Sequence, residues 1–280
     1  PRHPLQRLAL GWVKRLWHGA NRRVFPKAER IFTLSASMAD QLRPYFDSEV
    51  LWRERVLVIP PWADTANICP QPAAAQIFRR KFGVRGLLLS YSGNLGITHP
   101  IEPLLEACAL LEALPAPPQV QMFLIGDGAK RASLQKQAHS LRLPPSRLRF
   151  LDRLPYSELS ASLSAADLAV VALDGPSAAS SLPSKTFNAL ACGTPLLAIA
   201  PTDSALAQLV HQHNCGVVIE PKPSASQQLA DLVMHLAANP AELQQLATNA
   251  LAASHHYTPK NADRLVEAWL SPGPIRSLSQ

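Results

Sequence analysis

The sequence has no long hydrophobic run. Nowhere do the ~20 uncharged apolar residues of a membrane-spanning helix follow one another. It has no secretory leader pattern either, since the apolar run Leu5 to Gly11 is short and meets Lys14 and Arg15 at once. Its four cysteines (Cys69, Cys108, Cys192 and Cys215) are scattered, without a CxxC or a partnered histidine spacing. That excludes a zinc motif and a disulfide framework, and the expectation is free thiols in a reducing cytoplasm. A GxGxxG fingerprint with an acid ~20 residues beyond it is missing, which disfavours a dinucleotide oxidoreductase. Charged residues make up only 17% against 47% hydrophobic, so a disordered chain is excluded and a sizeable core is expected. Residue 1 is proline and not methionine, and the sequence is expected to be part of a longer protein.

Basic charge is scarce outside one segment. Residues 1–30 carry eight basic residues and one acid, which accounts for the whole net charge of +7. Of the 27 basic and 20 acidic residues, 19 of each remain for the other 250 positions. The body of the chain is therefore neutral and has no basic-aromatic platform, so no nucleic-acid partner is expected.

What is present, from Val56 onward, is alternation of short apolar runs with longer amphipathic stretches. Runs at Leu87–Tyr91, Val120–Ile125, Leu148–Leu151, Leu168–Leu173, Leu196–Ile199 and Val217–Ile219 show no polar alternation. Such runs fit strands buried on both faces. Helical patterns at 101–114, 134–141, 157–165, 186–191 and 204–213 separate or flank them. Strand–helix alternation with right-handed crossovers predicts about six parallel strands in a doubly wound α/β domain. Pro60 to Pro72 reads as a linker. Before it come a basic helix (5–17), a strand (30–34), a helix over 38–45 capped by Ser35 or Ser37, and a strand (56–59). This is too little to bury a core and reads as the remainder of a second α/β domain. Residues 259–270 form one more amphipathic helix, followed by a Pro/Ser tail.

Ligands of open α/β sheets bind beyond the carboxyl ends of the strands, and four loops sit there. Gly93-Asn94-Leu95-Gly96 reads either as a tight turn or as a loop offering amides to an anion. Gly126-Asp127-Gly128 reads as a turn and helix cap, with Asp127 accepting from backbone amides. The polar stretch 174–183 runs into Ser184-Lys185-Thr186, where Lys185 is the only Lys or Arg between Arg153 and Lys222. A lone cation at a helix start opposes the dipole, which points to an anionic ligand. Asn188 to Pro195 follows, with Gly193 as the helix stop. His99 stands just after the first glycine loop and is either a ligand-facing or an ordinary surface or core histidine.

With these residues in place, the chain resembles glycosyltransferase family 4, the retaining two-domain GT-B sugar transferases. The resemblance runs over about residues 22–270. Ala28 to Ser35 resembles the family's ADxIxxxS strand, and Val58 to Asp64 its VIPNWVD crossover. Ser92 to Gly96 is similar to its GNxG variant, and Leu124 to Gly128 to a further signature. Leu182 to Pro195 is similar to the PSKxYNxLAxGxP form of a subgroup of bacterial surface-polysaccharide enzymes. Two positions that are often Glu in the family are Ser180 and Asn188 here, and the usual Arg and Lys after the first donor strand correspond to Asn94 and His99.

The resemblance implies a Rossmann-like GT-B C-terminal domain over residues 61–255. Residues 1–60 would be the end of an N-terminal acceptor domain, and residues 256–280 a return helix and tail. It implies transfer of a sugar from a nucleotide diphosphate sugar to a saccharide or lipid-linked acceptor, with no metal or other cofactor. Lys185 and His99 would be the catalytic groups. Gly93, Asn94, Gly96, Gly126, Ser180, Ser181, Ser184, Lys185 and Asn188 would bind the donor, with Asn188 at the ribose and Ser180–Ser184 along the sugar. The other wall of the cleft would come from a preceding segment or from a separate N-terminal half. The rival expectation is a nucleotide-sugar-binding module, or split-enzyme subunit, that transfers nothing. An epimerase of the same architecture is disfavoured by the lack of an acid/base set.

Leu5, Leu8, Trp12, Val13 and Leu16 recur at three- and four-residue spacing, with Trp17 beside them and six arginines and lysines around them. A basic amphipathic helix of this kind suits an anionic membrane interface. The other expectation is that the stripe packs on the rest of the acceptor domain. The first of these places the protein in the cytoplasm, peripheral on the inner face of the membrane.

Overall fold

In a computed structural model, residues 4–270 are described, with side chains from Gly11 onward except Pro176 and Ser177. Arg2, the side chains of Leu5 and Leu8, and the Pro/Ser tail lie outside the described residues. The chain divides into two compact units. One holds the residues up to Pro60 and those from Lys260 on, and the other is Pro61–Pro259.

The larger unit contains β3 to β8 of the chain, and its six strands form one parallel sheet. They are β3 (Leu87–Ser92), β4 (Val120–Ile125), β5 (Leu148–Leu151), β6 (Leu168–Ala172), β7 (Leu196–Ile199) and β8 (Gly216–Ile219), in the order β5-β4-β3-β6-β7-β8. This is the predicted doubly wound sheet. The chain enters in the middle at β3, winds outward to β5, and then crosses to β6 on the other side. The order reverses between β3 and β6, where the loops leaving the strands diverge and leave a crevice.

Sheet alternation sends neighbouring residues to opposite faces. Leu89, Tyr91, Met122, Leu124 and Val170 join a cluster with Leu104, Leu105 and Leu111 of helix Glu102–Glu112 and Leu229 and Val233 of helix Ala225–Ala238. Leu88, Phe123 and Ile125 face the other way, onto Ala75 and Phe78 of helix Pro72–Lys81. Arg79 of that helix donates to the Ala165 carbonyl at 2.7 Å and pairs with Asp167 at 3.0 Å, and the Asp167 carboxylate accepts from the Leu88 amide at 2.7 Å. Helix and sheet are thereby tied by charge as well as by packing.

In the smaller unit, β1 (Ile31–Thr33) and β2 (Val56–Val58) pair in parallel, Ile31 opposite Val56. Helices Pro4–Val24, Ala36–Leu42, Glu49–Arg55 and Lys260–Leu270 complete it. Of the two expected caps, Ser35 is the one used, its hydroxyl accepting from the Met38 amide at 3.3 Å. Two strands of three residues are too small a sheet to bury a core alone.

Several elements differ from expectation. The linker ends at Pro72, which is the first residue of helix Pro72–Lys81. Helices Glu49–Arg55, Ala225–Ala238 and Pro240–Ser254 occupy stretches to which the sequence pattern assigned no element. The polar stretch after β6 contains a helical turn, Gly175–Ala178, closed by the Ala178 amide donating to the Asp174 carbonyl at 2.9 Å.

Candidate functional site

A cleft of about 740 Å³ opens beyond the carboxyl ends of the sheet. Its floor is the pair of glycine loops after β3 and β4. Gly93 donates to the Ile125 carbonyl at 2.9 Å, and Leu95 to the Asp127 carbonyl at 2.8 Å. The Lys130 amide returns to the Leu95 carbonyl at 3.0 Å. Gly126 has φ +126, and a Cβ there would overlap the Gly93 carbonyl, so no other residue lets the two loops touch. Asp127 accepts from the Gly128 amide at 2.8 Å, as a turn residue does. It caps no helix, because the next one begins after Lys130 without a side-chain cap.

One wall is the start of helix Ser184–Ala191. The residue before it is Pro183, which has no side-chain oxygen to satisfy the first amides. Pro183, Ser184, Lys185 and Asn188 line the cleft, and Lys185 and Asn188 stand three residues apart on the same helical face.

The Lys185 ammonium is the site's principal electrostatic feature. Its Nζ is shielded from solvent and makes no hydrogen bond with any described residue. It lies 3.7 Å from the centroid of the Tyr91 ring, a cation–π contact. Gly93 leaves room for it, since a Cβ there would stand 3.1 Å from Nζ. Burial without a counter-charge lowers the lysine pKa to about 8. Lys130 differs, being paired with Glu102 at 2.5 Å and donating to the His99 carbonyl at 2.7 Å.

His99 is half-buried at the same end of the cleft. Its Nδ1 lies 2.7 Å from the Tyr91 hydroxyl and 2.9 Å from the Asn94 carbonyl. The Tyr91 hydroxyl in turn donates to the Asn94 carbonyl at 2.6 Å. Desolvation lowers the His99 pKa, with the Lys185 charge adding to it, so the ring is held neutral near pH 7.

The cleft thus brings together Gly93, Asn94, His99, Gly126, Ser181, Ser184, Lys185 and Asn188. Gly96 and Ser180 are not among its lining residues. Gly96 lies in the loop beside His99, its amide nitrogen 3.3 Å from Nδ1, and Ser180 is exposed. Among the lining residues not anticipated are Arg153, Leu154 and Tyr156, which follow β5. The strand-end rule that selected the other loops applies after β5 as well. Among the described residues, no group of three His, Cys, Asp or Glu side chains could hold a metal ion.

Residues 75–252 match the family described as glycosyl transferases group 1. The chain belongs to that family. The probable glycosyltransferase WbjE of Pseudomonas aeruginosa is 29% identical over 216 residues, covering 74% of this chain and 52% of that protein. The chain therefore spans about half the length of this curated relative. Sucrose-phosphate synthase from Thermosynechococcus elongatus matches in structure with a TM-score of 0.72 at 21% identity, over 90% of this chain and 60% of its own. Anabaena HepE, solved in complex with UDP-glucose, matches with a TM-score of 0.68 at 21% identity, over 86% and 64%. The parallel α/β architecture is that of GT-B glycosyltransferases.

Proposed function

We propose that the cleft binds the diphosphate of a nucleotide sugar and that the whole protein transfers the sugar to a saccharide or lipid-linked acceptor. The observation that carries this is the buried, unpartnered Lys185 ammonium above an amide-bearing glycine loop and an uncapped helix start. A site of this kind favours an anion. The fold match to an enzyme solved with UDP-glucose supports the same reading.

When the bond between the anomeric carbon and the diphosphate oxygen breaks, negative charge accumulates on the leaving oxygen. Lys185 and the loop amides stand where that charge would be met without reorganisation. In this reading His99 touches the same end of the donor, Asn188 bonds a ribose hydroxyl, and Ser181 and Ser184 follow the sugar. No metal is assigned a part in it. Isothermal calorimetry of the chain with uridine and guanosine diphosphates, in EDTA, tests the proposal. Saturable binding supports it, and heat no greater than dilution with both nucleotides removes it.

The acceptor side is assigned to a membrane surface. Trp12, Val13, Leu16 and Trp17 of the basic first helix are each more than 60% exposed, and arginines and lysines surround them. Such a face gains from anionic lipid and loses the gain in salt. No helix among the described residues is long and apolar enough to cross a membrane. In this reading attachment is peripheral, on the cytoplasmic leaflet. Co-sedimentation with vesicles of increasing phosphatidylglycerol content, at low and high salt, is the test. Binding independent of both variables would remove the assignment.

A further inference from the structure

Tyr91 belongs to none of the loops that build the cleft. It sits in β3 and is fully buried, yet it makes the closest contacts to both polar groups at the anion end. Its ring face carries the Lys185 ammonium at 3.7 Å. Its hydroxyl stands 2.7 Å from His99 Nδ1 and donates to the Asn94 carbonyl at 2.6 Å. Lys185 has no hydrogen-bond partner among the described residues, so the ring is what receives its charge in the empty protein. On His99, Tyr91 and Asn94 occupy the Nδ1 edge and fix the plane of the ring.

We propose that Tyr91 is a positioning residue, seating Lys185 through its ring and orienting His99 through its hydroxyl, so that one buried side chain presets both groups for the anion. The inference rests on the reading of the cleft as a diphosphate site, but its structural half stands on the empty protein. The two functions reside in different atoms and separate by substitution. Tyr91→Phe keeps the ring and removes the hydroxyl, whereas Tyr91→Leu removes both.

The experiment is NMR of the full chain with labelled lysine and histidine. A proton stacked on an aromatic face is shifted upfield, so one lysine ε-methylene resonance should lie apart from the others. Its loss in Lys185→Met assigns it. Tyr91→Phe should retain that shift while the ring-nitrogen resonances of His99, assigned by their loss in His99→Gln, move because Nδ1 has lost its hydroxyl neighbour. Tyr91→Leu should lose both signatures. If Tyr91→Leu does not fold, the split within Tyr91→Phe, confirmed as folded by circular dichroism, still decides. An upfield lysine signal missing from the parent, or His99 resonances identical in the parent and Tyr91→Phe, overturns the proposal. Titration with UDP is then added. The Lys185 signal should move back toward the other lysines as the ammonium turns from ring to phosphate. Failure of UDP to bind at all, with both empty-state signatures present, counts against the diphosphate reading and not against the role of Tyr91. UDP binding that leaves the Lys185 signal in place overturns the seat-and-release part.

Discussion

Lys185 sits in the folded protein at a cost that the empty cleft does not repay. Its pKa of about 8 lies below the 10.5 of a free lysine, so the unfolded chain binds its proton more tightly than the folded one. The folded state therefore carries a penalty that is complete below about pH 8 and disappears as pH rises toward 10.5. The penalty is on the order of 3 kcal/mol. Without ligand, Lys185→Met should be more stable than the parent by about 1–3 kcal/mol at pH 7. The two proteins should converge near pH 10, which urea unfolding at both pH values checks. With nucleotide the sign reverses. Lys185→Ala should lose about 1.5–3 kcal/mol of diphosphate affinity, and Asn188→Ala about 0.5–1.5. Affinity in the parent should be constant below about pH 8 and fall above it, as the free protein's ammonium deprotonates. Calorimetry from pH 6.5 to 9.5 reads this directly, and a flat profile would exclude Lys185 from the anion site. The sequence made Lys185 legible because it is isolated among neutral residues and precedes a helix. Tyr91 was not legible, because within Leu-Leu-Leu-Ser-Tyr an aromatic residue reads as packing and nothing in spacing reports where its hydroxyl ends.

At the scale of elements, the six strands were legible because each is a short unbroken apolar run, and a two-faced burial leaves that pattern and no other. The helices that escaped notice have a different signature. Ala225–Ala238 and Pro240–Ser254 are rich in Ala, Gln and Ser, with Leu as the main apolar marker, and they are separated only by Asn239. Pro72 and Pro240 each begin a helix, where a missing N–H costs nothing, yet proline in a polar stretch reads as linker. Of the caps read from sequence, Ser35 is used and Asp127 is not, and the cap at Ser204 was not singled out. Ser204 accepts from the Ala207 amide at 3.1 Å at the start of helix Ala205–His213. Ser204→Ala should cost about 1 kcal/mol in thermal or denaturant unfolding, with nucleotide binding unchanged. Gly126→Ala should behave differently. The new methyl would overlap the Gly93 carbonyl, and φ at Gly126 is unfavourable for alanine, so the floor of the cleft must spread. Nucleotide affinity should drop at least tenfold, and stability should fall as well. Retained affinity would show that the two loops are separable.

For the molecule as a whole, the match over about half of a curated relative sets the expected behaviour. The 280-residue chain should bind a nucleoside diphosphate and show little transfer, because it spans about half of that relative and carries only the proposed donor side of the cleft. Radiolabelled donor with the chain alone and a panel of saccharide acceptors checks this. Sustained multiple turnover by the chain alone would overturn it. The donor half was legible because its motifs lie within one continuous stretch of chain. In the smaller unit both strands, the helix capped by Ser35 and the last helix were legible, and helix Glu49–Arg55 was not, because seven residues give little periodic signal.

The contact between the two glycine loops has a consequence for how binding would register in time. Amides of Gly93, Leu95, Gly126 and Lys130 form a relay across the ends of three neighbouring strands. They should exchange with deuterium only when the sheet itself opens, with or without ligand. The helix start at Ser184 has no such relay and no side-chain cap, and a bound anion would cover its first amides. Nucleotide should therefore slow exchange at Ser184 and Lys185 while leaving the floor of the cleft at its already slow rate. Most of the ordering on binding would then fall on one wall only.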